Sequence, residues 1–319
     1  MDHRDQRPVL AVFGILLLVL GMAAAFLGPV EMYCFYLFSE GGRFHYEGFR
    51  FGSFMFGNIA SQIIGYYVIA AICIPLGYGY LKVRRWARTL SLTLLWFWLV
   101  VGAPLAVVFF FVLITAKDLS LVAVLIVAVL LCLSYFLFPG LLIRFYRGRN
   151  VRLTFENRDP RSYWTEKVPI PVLVPCALYL FYAIALHVPI FFNGIFPLFG
   201  TFLSGLQGIL LLDISILALI LMTWGTVRLK TWAWWGALVY FGLLTVSSVL
   251  TLLRSSYAEI LAVMDFPPRE IEFLGGVPIQ GTHMAVFFGI PLLLTVAAIV
   301  GSKRCFTAGG STRRSTECP

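Results

Sequence analysis

The sequence predicts an all-α integral membrane protein in which eight transmembrane helices form two parallel four-helix repeats. Long apolar runs fill a 319-residue chain that is 60% hydrophobic and only 12% charged, whereas soluble domains carry about 25% charged residues. Lysines and arginines concentrate in the segments that join alternate runs, and three short motifs recur in the same order in each half. These three observations predict the membrane class, the topology and the duplication.

The spans follow from length and hydropathy. In hydrocarbon every backbone amide must be satisfied within its own helix, so a spanning helix needs about 20 consecutive apolar residues. The first run, Val9–Gly28, is too long for the core of a signal peptide, and we expect it to be retained. The eight predicted spans are Val9–Gly28, Gly52–Ile74, Thr89–Thr115, Ser120–Ile143, Ile170–Phe192, Phe202–Thr226, Trp232–Leu253 and His283–Gly301.

The distribution of cations predicts the orientation, because lysine and arginine accumulate in cytoplasmic loops. With the N-terminus inside, 19 of the 24 lysines and arginines lie in cytoplasmic segments and five in outer ones. The largest inner group is the polar segment from Arg144 to Lys167, which carries seven cations. We therefore predict a protein of the inner (plasma) membrane with both termini cytoplasmic and a basic connector between its halves.

Internal repetition divides the chain. The matched motifs are Pro8–Leu10 with Pro171–Leu173, Phe51–Gly57 with Phe199–Gly205, and Gly79–Ala87 with Gly225–Ala233. Because each half has an even number of helices, both halves enter and leave on one side, which predicts parallel rather than inverted repeats. The predicted organisation is a first module at 1–143, the connector at 144–168, a second module at 169–302, and a cytoplasmic tail at 303–319 that is expected to be disordered.

Small residues at four-residue spacing predict where helices pack closely, because short side chains let backbones approach. Gly57, Ser61 and Gly65 form such a series on the second span. We expect it to serve packing within the chain.

Asp213 is the acid deepest within a predicted span, and an intramembrane carboxylate is a candidate for proton or ion coupling. We expect its side chain to face protein, with Gln207 or Ser215 as a local hydrogen-bonding partner. The alternative is a neutral carboxyl group that only bonds a neighbouring helix.

Two histidines, His187 and His283, lie near the outer ends of predicted spans. Two imidazoles at facing helix ends could ligate haem or a metal ion. No surrounding motif fixes them, and histidines that bond a helix end are the commoner case.

The two inner turns combine tryptophan with cations, a composition typical of anchoring at anionic head groups. The predicted anchors are Arg84, Arg85, Trp86 and Arg88 in the first module and Arg228, Lys230 and Trp232 in the second. Because the cations form short clusters beside apolar runs, we expect membrane lipids and no nucleic acid as partners.

No catalytic motif is recognisable: the chain lacks a Walker A loop, HExxH, G-x-S-x-G and a cysteine–histidine metal box. We therefore lean against an enzyme and predict no cofactor. The first hypothesis is an accessory or scaffold component, with a membrane-protein partner or as a homo-oligomer, or a protein that handles lipid or a small apolar molecule. The alternatives are a secondary transporter that uses Asp213 and a haem-binding redox subunit.

Overall fold

The computed structural model describes residues 5–39, 41–46, 48–115, 120–276 and 279–307. It is about 81% helical and, in the part searched, has seven helices long and apolar enough to span a membrane, which agrees with an all-α membrane protein. The one predicted span that is not among these seven helices, Thr89–Thr115, falls on a helix of 31 residues, Arg85–Thr115. The count of eight spans stays a prediction.

The first half contains five helices and one π-helical turn. They are α1 (Arg7–Phe38), α2 (Phe54–Leu81), α3 (Arg85–Thr115), α4 (Leu121–Cys132), the π turn (Leu133–Leu137) and α5 (Phe138–Arg147). The π turn comes just before Pro139, whose ring nitrogen has no hydrogen to donate. A local widening of the helix is a common accommodation at such a position, so α4 and α5 continue as one apolar segment.

The connector and second half contain ten helices and a β-hairpin. They are α6 (Arg149–Arg158), α7 (Trp164–Lys167), α8 (Ile170–Ala185), α9 (His187–Phe191), β1 (Phe196–Leu198), β2 (Thr201–Leu203), α10 (Gly205–Val227), α11 (Thr231–Arg254), α12 (Tyr257–Met264), α13 (Pro268–Gly275), α14 (Gly281–Gly301) and α15 (Lys303–Thr307). Helix α15 lies within the predicted disordered tail and buries Phe306. Residues 308–319 of that tail lie outside the described residues.

The hairpin is an addition to the predicted all-α fold. Strands β1 and β2 pair antiparallel, and the two residues between them, Phe199 and Gly200, have φ angles of 41° and 104°. Positive φ at both positions matches the right-handed twist of a two-residue hairpin.

Helices α1 and α2 form a close pair. Gly14, Gly21 and Gly28 recur every seven residues on the face of α1 that meets α2. A Cβ atom at Gly21 would lie 2.7 Å from Cγ1 and 2.9 Å from the backbone nitrogen of Ile74. Such close approach gains the dispersion energy that holds helices together in lipid.

The second module is a bundle of α8, α10, α11 and α14. Its core contains Val172, Tyr179, Leu219, Phe241 and Ile299, all with at most 1% of their surface exposed. Helix α3 packs against both α8 and α14 and so connects the two modules.

Loops and short helices also join the modules at the outer end of α2. Phenylalanine rings from both halves pack there with centroids 4.9–6.4 Å apart: Phe35, Phe49, Phe51, Phe54, Phe56, Phe191, Phe192 and Phe266. Beside them the carboxylate of Glu270, only 4% exposed, accepts hydrogen bonds from the backbone nitrogens of Phe54 (2.7 Å) and Met55 (3.1 Å). Glu270 therefore caps the N-terminus of α2 from the other module.

The opposite end of the bundle gathers the cationic segments. Asp5 near the N-terminus pairs with Arg158 at 3.6 Å, and Arg84 after α2 pairs with Asp159. Val168, at the end of the connector, shares a hydrophobic cluster with Trp234 and Phe306. The N-terminal segment, the two turns before α3 and α11, the connector and the end of α14 thus lie at one end of the bundle.

We expect Gly21→Ala to lower the free energy of unfolding by about 1–3 kcal/mol, because the added methyl group overpacks against the backbone of α2. Gly140→Ala is the matched control, since nothing lies within 4 Å of a Cβ at that helical position. Thermal unfolding of the detergent-purified variants measures the difference. Equal midpoints for both variants would contradict the close α1–α2 contact.

We expect Glu270→Ala to cost about 1–3 kcal/mol of stability, because two backbone nitrogens at the start of α2 lose their charged acceptor. Glu272→Ala removes an exposed acid from the same helix and serves as the control. The readout is the thermal midpoint together with protease sensitivity of the segment 41–53. A loss no larger than that of the control would refute the capping role.

Candidate functional site

The two predicted tryptophan-containing turns have the same backbone conformation. Val83 and Leu229 occupy equivalent positions with φ angles of 49° and 54°, a left-handed conformation that is unusual for such side chains. The following nitrogens bond back into the preceding helix, Arg84 to the Gly79 oxygen at 2.7 Å and Lys230 to the Gly225 oxygen at 2.9 Å. Both turns are therefore tight helix ends of one type.

In each turn the glycine lets a tryptophan pack on the end of the preceding helix. A Cβ at Gly79 would lie 2.9 Å from the Trp86 ring, and one at Gly225 would lie 2.6 Å from the Trp232 ring. In both halves the glycine and the tryptophan seven residues later therefore make the same close contact at the end of the helix.

The first turn is covered by the connector. The carboxylate of Asp159, 1% exposed, lies 3.4 Å from the Arg84 guanidinium and accepts a hydrogen bond from the backbone nitrogen of Arg85 at 3.3 Å. Arg85 also donates through Nε to the carboxylate of Glu166 at 2.8 Å. Arg88 donates through Nε to the backbone carbonyl oxygen of Tyr146 at 2.9 Å. All three arginines of this turn are engaged by protein.

The environment of Asp159 favours its charged form. Burial of the carboxylate raises its pKa, but hydrogen bonds from the Tyr163 side chain and the backbone nitrogens of Arg85 and Arg161 outweigh that effect. The charge of Arg84 acts in the same direction, so the pKa of Asp159 is lowered from its ordinary value. The carboxylate thus stays ionised at the start of α3.

The second turn carries no such cover. Arg228, Lys230 and Trp232 are exposed, and the start of α11 at Lys230 has no side-chain cap. Arg228 stacks over the Trp224 ring at 4.4 Å, and neither cation forms an ion pair within the described ranges. Trp224, Trp232 and Trp235 have 48%, 45% and 57% of their surfaces exposed. We call the surface formed by Trp224, Arg228, Lys230, Trp232 and Trp235 the second turn. It exposes tryptophan rings beside positive charges that have no acidic partner within the described ranges.

The structure therefore separates the predicted lipid anchors into two groups. Arg84, Arg85 and Arg88 bond to the connector, and Trp86 is only partly exposed. Arg228, Lys230 and Trp232 are exposed, and the two cations form no ion pair within the described ranges. This is the arrangement that anchoring at head groups requires. The sequence could not separate the groups because the contacts of the first turn come from residues 58–81 positions away.

Asp213 lies on the exposed side of α10 rather than facing protein as expected. Its neighbours Leu210, Ile214 and Leu217 are 52%, 60% and 67% exposed, so the carboxyl group lies on an outward apolar surface. Gln207 is exposed as well. The role of both residues in ion coupling stays a prediction.

The two candidate ligand histidines bond to their local backbone. His187 Nδ1 lies 2.9 Å from the Ala183 oxygen, and His283 Nδ1 accepts from the Gln280 nitrogen at 3.3 Å. Among the described residues, no group of three or more histidine, cysteine or acidic side chains is placed to hold a metal ion. A haem role stays a prediction.

A shallow groove of about 450 Å³ lies in the first part of the connector, where α5 ends and α6 begins. Sequence reasoning did not identify it, because its residues were assigned to a span and to the connector separately. It is lined by Gln6, Leu141, Arg144, Phe145, Gly148, Arg149, Asn150 and Val151.

Comparison with known proteins gives no match: no family model fits the chain, and no curated protein and no solved structure is significantly similar to it.

We expect Asp159→Asn to lower the free energy of unfolding at pH 7 by about 1–3 kcal/mol, since a charged acceptor of several hydrogen bonds is lost. Because folding lowers the pKa of Asp159, its stabilisation is present above the ordinary value of 3.8 and is lost as the pH falls through the folded-state value. The variant should therefore lose less stability on acidification than the parent. Unfolding at pH 7 and below pH 4 measures both effects, with the 77% exposed Asp265, as Asp265→Asn, as control.

Proposed function

We propose that this chain is a non-catalytic, multi-pass component of the inner (plasma) membrane that binds anionic lipids at its cytoplasmic face. In this role it handles lipid or a small apolar molecule, or it acts as an accessory or scaffold subunit. The observation that carries the proposal is the second turn, where Arg228, Lys230 and Trp232 are exposed together without an acidic partner in the described structure. Exposed tryptophan beside free cations suits the head-group layer of an anionic leaflet.

The proposed topology has eight spans, with both termini and the connector in the cytoplasm. It is supported by the contacts that gather the N-terminal segment, the two inner turns and the connector at one end of the bundle. That end carries most of the cations, and cations favour the cytoplasmic side.

The proposed parallel repeat is supported by similar backbone conformations at single positions of its motifs, although the second motif continues as helix α2 in the first half and as strand β2 in the second. Pro8 and Pro171 each lie in the first turn of a helix, and Gly52 and Gly200 both have positive φ, of 92° and 104°. Val83 and Leu229 share the same left-handed turn. Three features in the same order are what an ancestral duplication would leave.

Lipid binding by the second turn is tested with Arg228→Gln/Lys230→Gln in nanodiscs of phosphatidylglycerol and of phosphatidylcholine. Each cation removed should weaken attraction to the anionic surface by roughly 1 kcal/mol, with no change for the zwitterionic lipid. Native mass spectrometry of retained lipid and its salt dependence are the readouts.

The control for that experiment is Arg43→Gln/Arg50→Gln, which removes two exposed cations from the opposite end of the bundle. If the second-turn variant retains phosphatidylglycerol as well as the parent does, the proposal is wrong. Equal losses in both variants would show that only net charge matters.

A further inference from the structure

We propose that the groove between α5 and α6 is a binding site for the phosphate head group of an anionic phospholipid. The inference rests on the proposed function but uses residues that are separate from the second turn.

Three of the seven cations of the connector have a partner, and of the four that form no ion pair or ring contact within the described ranges, Arg161 and Lys167 lie outside the groove. Arg152 pairs with Glu156 at 2.7 Å, Arg158 pairs with Asp5 at 3.6 Å, and Arg147 lies 5.8 Å from the Trp96 ring. Arg144 and Arg149 are exposed and form no ion pair within the described ranges, yet both line the same groove. Two guanidinium groups around one cavity suit a phosphate, which accepts paired hydrogen bonds from each fork.

The backbone adds to this positive potential. Gly148 ends α5 and starts α6, and no side chain caps the first turn of α6. Gly148, Arg149, Asn150 and Val151, all from that first turn, line the groove. The unpaired nitrogens and the helix dipole at such a position favour an anion, and here they supplement the arginines.

Apart from Gln6, the remaining lining residues are apolar. Leu141 and Phe145 flank Arg144 on α5, and Leu141 is 56% exposed. Leu141 belongs to the apolar segment Leu121–Arg147, whose outward face continues from the groove along α5 and α4. An occupant with a phosphate at one end and an acyl chain at the other fits both walls, whereas a free phosphate would use only the polar one.

The site is tested with Arg144→Gln/Arg149→Gln in nanodiscs that contain phosphatidylglycerol in a phosphatidylcholine background. The proposal expects retained phosphatidylglycerol in native mass spectrometry to fall roughly thirtyfold, because two phosphate-binding cations are lost. Arg161→Gln/Lys167→Gln removes the same charge from exposed connector positions outside the groove, and it should lose less than about threefold. Arg144→Lys/Arg149→Lys should recover part of the binding, since charge remains but the bidentate geometry does not.

Three results would overturn the proposal. The first is unchanged retention in the glutamine variant, and the second is an equal loss in the control, which would assign the effect to general attraction. The third is displacement of the lipid by millimolar glycerol phosphate, which would make the groove a site for a soluble phosphate. If the glutamine variant fails to fold, Arg149→Gln alone, at the exposed start of α6, is measured against Arg161→Gln with the same criteria.

The two proposed lipid sites can be rejected independently of each other. Loss of retention in Arg228→Gln/Lys230→Gln with normal retention in the groove variant rejects the groove and keeps the proposed function. Normal retention in both variants rejects both.

Discussion

The structure depends on carboxylates that satisfy the ends of helices far away in the sequence. The first nitrogens of a helix have no partner within it, and leaving them unpaired away from water is costly. Asp159 supplies the acceptor for the start of α3, and Glu270 supplies it for the start of α2. One lies at the inner end and the other at the outer end, so residues from outside the first module fix its helices at both faces.

The same requirement explains why two turns of equal geometry differ in exposure. The connector follows the first module directly, and its acids reach Arg84 and Arg85. In the second module, the described residues after α14 bring Lys303 to the second turn, with its Nζ 5.6 Å from the centroid of the Trp234 ring. They bring no acidic side chain into an ion pair with Lys230. The cations of the second turn therefore have no acidic partner in the described structure, although both turns have the same backbone conformation.

Much of the architecture could be predicted because the length and hydropathy of a run determine that it spans. They do not determine which way a side chain points around the helix, so Asp213 was expected to face protein although it lies on the outward side. Four-residue spacing drew attention to Gly57 and Gly65: a Cβ at Gly57 would meet the Phe192 ring, whereas one at Gly65 would have nothing within 4 Å. The contact between α1 and α2 uses Gly14, Gly21 and Gly28, whose seven-residue spacing the sequence analysis did not consider. The burial of Glu270 depends on contacts 215 and 216 residues away, which no local pattern contains.

The long reach of Glu270 has a consequence for biosynthesis. Asp159 emerges from the ribosome soon after the four apolar segments of the first half, so the inner end of that half completes early. The outer end of α2 waits for a residue that is translated 216 positions after Phe54. Until then those amides lack their acceptor from Glu270, so this end of α2 is completed later in synthesis than the start of α3.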